Sequence, residues 1–246
     1  MQREGNKIYI YEDEIGSVEL LEAVGSDKTV VNSARISFGV EKQELDERDK
    51  KLINYLVKHK HTSTLEHCFL TFKFVVPLFI RSQHHRHRTW SYNEWSNRYR
   101  DMTRPENAPQ FYEPKTFRTQ HETNRQASNL DEINPNLSEF KNTTLPVSPN
   151  LASDAVVMHH RRSLDLFNKL VDNGVCREQA RGILPQNLYT QYLGSTSLLN
   201  ALKFIDLRDH EGAQFEIQQV AKAMLLLMEE HFPYTIAAYR ENRQGH

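Results

Sequence analysis

The 246-residue chain carries 31 lysines and arginines against 32 acidic residues, a formal charge of −1. That balance argues against a general nucleic-acid binder, which normally carries a strongly basic domain. No apolar run approaches the roughly 18 residues that span a bilayer. The length suffices for one sizeable core, or for one domain with a long insertion. Met1-Gln2-Arg3-Glu4 opens no signal peptide, so a soluble, cytoplasmic protein with no membrane partner is expected. Cys68 and Cys176 stand far apart with no CxxC pair, and both are expected to be buried packing thiols.

In chain order, Lys7 to Glu12 and Ser17 to Val24 read as a hairpin around Glu14-Ile15-Gly16. Asp27 is placed to cap a short helix through Val30, Val31 and Ala34 that ends near Ser37 and Gly39. Apolar residues at helical spacing, with Glu47, Lys50, Lys51 and Lys58 outward, predict a surface helix from Asp46 to Lys58. Phe69 to Val75 is aromatic and β-branched and predicts a strand, after which Pro77 suits the first turn of a helix. Histidines flank that strand, but none has metal-ligand spacing and neighbouring arginines repel a cation, so no metal is expected.

From Asp101 to Asn150 lie six of the nine prolines and no glycine, which predicts a long surface excursion, not a second domain. Helical patterning returns from Asp154 through Val157, Leu164, Phe167 and Val171 and stops at Asn173-Gly174. A further helix, started by Val175 to Arg181 and ended by Leu184-Pro185, places Arg177 and Arg181 on one face. Leu198, Leu199, Leu202 and Ile205 predict a helix closing near Asp206 to Asp209. Ile217 to Met228 gives the last long helix, with an apolar stripe suited to a core or a subunit contact. Glycine is absent from Val40 to Asn173, which excludes a GxGxxG turn or a P-loop across the central region. Any nucleotide phosphate held there must be held by side chains and helix N-termini.

The densest chemical signal is Arg86-His87-Arg88-Thr89-Trp90-Ser91-Tyr92-Asn93-Glu94-Trp95-Ser96-Asn97-Arg98-Tyr99. From Arg81 to Arg104 there are six arginines, no lysine and only Glu94 and Asp101 in opposition, with aromatic residues interleaved. Arginine presents a planar fork to phosphate or carboxylate oxygens and stacks on rings, so a flat, phosphorylated ligand is expected. A solvated basic face and a base-stacking nucleic-acid module are the alternatives.

The spacing Arg86-His87-Arg88, seven residues, then Ser96 resembles the signature of the flavin-dependent thymidylate synthases. Ala34-Arg35-Ile36-Ser37-Phe38, His61-Thr62-Ser63 with Glu66-His67, Gly174-Val175 with Arg177-Glu178 and Ala180-Arg181, Leu184-Pro185 with Asn187 to Thr190, and Ala213-Gln214 with Glu216-Ile217-Gln218 match the family pattern in order. The resemblance covers most of the chain outside residues 101–150. It implies a single mixed α/β (α+β) domain over residues 1–246, with a central antiparallel or mixed sheet flanked by helices, assembled as a homotetramer with shared active sites. It also implies methylation of dUMP at C5, with methylenetetrahydrofolate as one-carbon donor and FAD, reduced by NADPH, as hydride source.

By the same resemblance, Arg86, His87 and Arg88 bind the flavin with Ser37, Ser63 and Glu66, and His61 lies near flavin and folate. Gln83, Glu94, Ser96, Asn97, Arg98, Arg181 and Arg208 hold the nucleotide. Arg208, Ser96 and His61 are assigned to the chemistry, with Ser96 a binder in preference to a nucleophile because nothing near it in sequence supplies a base. Ser197 belongs to the cofactor set, but it departs from the family: Ser197, Leu199 and Lys203 stand where members often carry Asn, Arg and Asn. Ser82 and Gly212 are further departures. If altered flavin contacts abolish turnover, a nucleotide-binding scaffold is the remaining expectation.

Overall fold

The computed structural model describes residues 1–125, 127–137 and 151–243. In chain order the strands and helices are β1 (Gln2–Glu4), β2 (Lys7–Tyr9), β3 (Ser17–Val24), α1 (Asp27–Arg35), α2 (Glu47–Lys58), β4 (Phe69–Pro77), α3 (Leu78–His84) and β5 (Ser91–Glu94). There follow β6 (Phe117–Gln120), β7 (Ser128–Ile133), α4 (Ala152–Asp172), α5 (Arg177–Ala180), β8 (Tyr189–Ser197), α6 (Leu198–Arg208), α7 (Phe215–Glu229) and α8 (Pro233–Asn242). None of these helices is long and apolar enough to cross a membrane. The chain divides into two compact units: Met1–Val75, Gln83–Asn93 and Tyr192–His246 form the first, Val76–Ser82 and Glu94–Gln191 the second.

The first unit is built on the sheet ordered β1-β2-β3-β4-β8-β5, with β1 to β4 successively antiparallel. The predicted hairpin is present as β2 and β3, turned where Glu14 takes a positive φ of 57° and the Asp13 carboxylate accepts from the Ile15 and Gly16 amides. Phe72, Phe74 and Tyr192 are fully buried, Trp90 nearly so, and the rings of Tyr192 and Phe74 stack 5.0 Å apart. Gly194 is required for this close approach: a Cβ there would meet Phe74 at 3.0 Å and Trp90 at 3.2 Å. Helix α7 buries Ile217, Val220, Ala221, Met224 and Met228 against β3, α6 and α8, so its stripe is core.

Local rules account for most boundaries and for several corrections. The helix expected from Asp46 begins at Glu47, and Asp46 caps it by accepting from the Arg48 and Asp49 amides. Asp27, by contrast, is not the cap of α1; Ser26 holds that position, and the Asp27 carboxylate turns to α8 instead, accepting from the amides of Tyr234 and Thr235 at 2.8 and 2.9 Å. Pro77 ends β4, and α3 begins at Leu78. Strand β8 and helix α8 were not predicted. Inward positions of β8 are Thr190, Tyr192, Gly194 and Thr196, so the strand carries no apolar alternation for a sequence reading to find.

The second unit packs Met102, Phe167, Ala180, Leu184 and Leu188 into a core, joined by Leu78, Phe111 and Leu164. Val157, Leu164, Phe167 and Val171 lie in α4 as expected, and Gly174 ends it with a φ of 85°. The helix predicted to start at Val175 and end at Leu184-Pro185 is only one α-helical turn, α5, after which Arg181–Ile183 tightens to a 3₁₀ turn. Part of the predicted excursion is a hairpin, β6 with β7, while residues 138–150 lie outside the described residues. Cys68 is buried, but Cys176 is exposed beside α5, contrary to expectation.

Candidate functional site

In the first unit the Arg86-His87-Arg88 turn is pinned by backbone carbonyls. The Tyr92 hydroxyl lies 2.9 Å from the His84 carbonyl and 3.2 Å from that of His87, the His87 amide donates to His84, and Thr196 donates to the Thr89 carbonyl. Beneath it His84 is fully buried, its Nδ1 2.8 Å from the Tyr192 hydroxyl, with Phe74, Trp90 and Phe204 around its ring. The turn is therefore a rigid platform, with Arg86 and Arg88 exposed upon it.

Arg208, the last residue of α6, donates from Nε to His87 Nε2 at 3.3 Å. Burial, and then the Arg208 charge, depress His87 from 6.5 to about 4, so the imidazole is neutral near pH 7 and carries its proton on Nδ1. Burial and the nearby Arg86 charge lower Arg208 as well. Among the described residues no carboxylate lies within ion-pair reach of Arg86, Arg88 or Arg208, so the neighbouring charges of Arg86 and Arg208 have no counter-ion. His84 is likewise held well below 6.5 by burial first, then by the charges of His87, His85 and Arg208. Both histidines take up protons more readily when unfolded, so stability should be unaffected above about pH 6.5 and fall as the pH drops from there towards 4. Urea midpoints measured across pH 4–8 check this; midpoints flat from 6.5 to 4.5 would contradict it.

Gln83, at the end of α3, donates to Gln214, which in turn donates to the buried Glu216. His61 is exposed, its ring stacked 5.7 Å from Tyr55, at the start of a 3₁₀ turn, Thr62–Leu65, on which Ser63 is exposed; Glu66 follows it. Ser37 is exposed on its own 3₁₀ turn between Ile36 and Phe38, which are 77% and 82% exposed. Ser197 caps α6 by accepting from the Asn200 amide at 3.4 Å. A cavity of about 380 Å³ opens between the Thr62–Leu65 turn, α6 and α8; buried Leu65, Leu199 and Leu202 line it together with Lys58, Lys60, Lys203 and Asp206.

In the second unit Glu94 Oε1 accepts from the Thr190 hydroxyl at 2.5 Å and faces Arg81 Nε at 3.4 Å. Ser96 begins a tight turn: its Oγ accepts from the Arg98 amide at 3.3 Å and its carbonyl from Tyr99 and Arg100. No imidazole or carboxylate is placed to take the Ser96 proton among the described residues, in keeping with a binding role. Trp95 carries the Arg100 guanidinium 3.5 Å from its ring centroid. Trp95 Nε1 and Asn97 Oδ1 are buried without a hydrogen-bond partner among the described residues. Buried polar atoms left in that state are costly, and they suit a ligand that completes them. Arg98 is exposed, its guanidinium 5.2 Å from the Tyr99 ring. Arg177 and Arg181 differ in their surroundings: Arg177 is tied to Asp101 at 3.1 Å, while Arg181 is exposed and makes no ion pair among the described residues.

The sequence reading did not identify Tyr92, His84, Thr190 or Gln214 as parts of these clusters. Tyr92 lies inside the signature, and its aromatic type with a polar tip is the one signal that could have marked it.

The family model described as thymidylate synthase complementing protein matches residues 19–234. A flavin-dependent thymidylate synthase of Thermus thermophilus is 35% identical over 230 residues, covering 92% of this chain and 76% of the relative. Another, of Thermotoga neapolitana, is 33% identical over 224 residues, covering 91% and 90%. Among solved structures, the UMP/dUMP methylase PolB from Streptomyces cacaoi bound with 5-Br dUMP matches with a TM-score of 0.72 at 26% identity, over 93% of this chain and 96% of that one.

Proposed function

Because the chain belongs to the thymidylate synthase complementing protein family, the flavin-dependent thymidylate synthases, we propose that it methylates dUMP at C5 to give dTMP. The observation that carries this reading is the uncompensated pair Arg86 and Arg208 beside a neutral His87, with Arg88 exposed next to it in the chain. Exposed guanidinium forks beside a partly buried, uncompensated Arg208 favour an anionic or flat conjugated ligand.

The residues present fit a flavin. Arg86 and Arg88 supply exposed guanidinium forks for its diphosphate, His87 a neutral imidazole, and Ser37, Ser63, Glu66 and Ser197 hydrogen-bonding groups. When bound and reduced by NADPH, FAD would supply the hydride, and His61 would lie beside it and methylenetetrahydrofolate, the one-carbon donor. The nucleotide is held by Gln83, Glu94, Ser96, Asn97, Arg98 and Arg181. Arg98 and Arg181 neutralise the phosphate, and Glu94, with Oε2 unengaged among the described residues, accepts a sugar hydroxyl. Arg208 stabilises negative charge that develops on a uracil carbonyl. One activity is assigned to residues 1–246, with 101–150 as an insertion. A homotetramer in the cytoplasm is the proposed working state, supported by the apolar surface of Ile36 and Phe38.

The decisive experiment is the absorbance spectrum of purified protein and of its Arg88→Ala variant. The variant should lose bound flavin while folding normally, since Arg88 is exposed and fills no core volume. Unchanged flavin absorbance in that variant refutes the role of Arg88, and a colourless wild type that refuses added FAD refutes the whole reading. Ser96→Ala should weaken dUMP binding but keep turnover within about tenfold of wild type, as expected for loss of one hydrogen-bonding hydroxyl. A mass-spectrometric Ser96–dUMP adduct would show a nucleophile instead.

A further inference from the structure

We infer that Gln214 and Glu216 are positioning residues that fix which way the Gln83 amide faces, so that Gln83 meets the nucleotide with its carbonyl oxygen. The inference rests on the reading of Gln83 as a nucleotide ligand. Gln83 Nε2 donates to Gln214 Oε1 at 2.5 Å, and Gln214 Nε2 donates to Glu216 Oε2 at 2.9 Å. Glu216 is 4% exposed, in the first turn of α7, and Gln214 stands at the N-cap of the same helix.

An amide turned end for end keeps its shape, so nothing in Gln83 or Gln214 alone decides which atom faces which. A carboxylate decides it, because it only accepts. Facing Glu216, Gln214 must present its NH₂; its carbonyl then faces Gln83, and Gln83 must answer with NH₂. Turning Gln83 would set two carbonyl oxygens against each other, and turning Gln214 to relieve that would set an oxygen against the carboxylate. One buried acid thus orders two amides in series. Gln83 Oε1 has no partner among the described residues, and it is the atom this arrangement leaves for an N–H or O–H of the ligand. Ala213-Gln214 with Glu216 is one of the blocks in the sequence, and the relay gives two of its residues a task away from direct ligand contact.

The test is Glu216→Gln, nearly identical in shape, which lets Gln214 rest either way and leaves Gln83 in two orientations. By calorimetry, dUMP affinity should fall about three- to tenfold, the scale of one misplaced hydrogen bond. Turnover at saturating dUMP and flavin absorbance should stay as in wild type. In a Gln83→Ala background the same change should cost no further affinity. An equal loss in both backgrounds, or none in the first, overturns the inference. A second arm needs no ligand: in protein labelled with ¹⁵N-glutamine, Glu216→Gln should shift or double the Gln83 side-chain amide resonances, and unaltered resonances overturn it. Failure of wild-type protein to bind dUMP would sink the role of Gln83 as a nucleotide ligand, whereas the amide resonances still judge the relay.

Discussion

Arg208→Ala is expected to lower turnover of dUMP by about 10²- to 10³-fold, the range seen when one preorganised donor is removed from a developing oxyanion. Arg208 is fixed on two sides: α6 ends at it, and its Nε is bonded to His87 Nε2. No carboxylate neutralises it among the described residues, and burial together with Arg86 lowers its pKa, so its charge is destabilised until something negative arrives. That arrangement favours the transition state, where charge grows on a uracil carbonyl, over the neutral ground-state base. Arg208→Lys should recover little, because an ammonium lacks both the fork and the Nε that meets His87. Tritium release from C5-labelled dUMP, with NADPH and methylenetetrahydrofolate saturating, reads the rate. Bound flavin should persist in the alanine variant, which separates loss of chemistry from loss of cofactor. A rate within threefold of wild type would remove Arg208 from the chemistry.

The candidate site could be proposed from sequence because anion recognition demands particular residue types at fixed spacing. Arg86-His87-Arg88 and Ser96 could be read without coordinates. What could not be read is which arginines are already neutralised. Arg177 and Arg181 look equivalent in sequence, yet Asp101 takes the first and leaves the second. Arg100 is laid on Trp95, and Arg81 faces Glu94, while Arg86, Arg88 and Arg208 make no ion pair among the described residues. Charge compensation is a tertiary property, and only geometry reveals it.

The fold was legible wherever burial is written in apolar periodicity. Helices α2, α4 and α7 and strands β3 and β4 carry it, and each was expected. Strand β8 and helix α8 do not. β8 turns Thr190, Gly194 and Thr196 inward, because its interior neighbours are large rings that need small or hydroxylated partners: Trp90 and Phe74 press against Gly194. α8 buries Thr235, Ile236, Ala238 and Tyr239, a face too small and too polar to register as amphipathic. Its stability comes from elsewhere, and that source defines the second large effect.

Asp27→Ala should destabilise the protein by about 3 kcal/mol or more, the cost of leaving buried donors without their charged acceptor. Asp27 is 3% exposed, and its carboxylate accepts from the Tyr234 and Thr235 amides and, at 2.6 Å, from the Thr235 hydroxyl. These amides open α8, whose N-cap, Phe232, has no side-chain acceptor of its own, so a residue some two hundred positions earlier supplies the cap and the negative charge that the helix dipole favours. Alanine leaves two amides and a hydroxyl unmet in a space too enclosed for bulk water. Asn keeps one acceptor and loses the charge, so Asp27→Asn should fall between alanine and wild type. For a chain of this length, about 3 kcal/mol lowers the melting temperature by roughly 6–12 °C. Since α8 packs on α2 and α7, the loss should appear as global destabilisation in a urea melt, not as fraying of one end. An alanine variant melting within 2 °C of wild type would show that α8 is held by its apolar face alone, and that Asp27 only fills space.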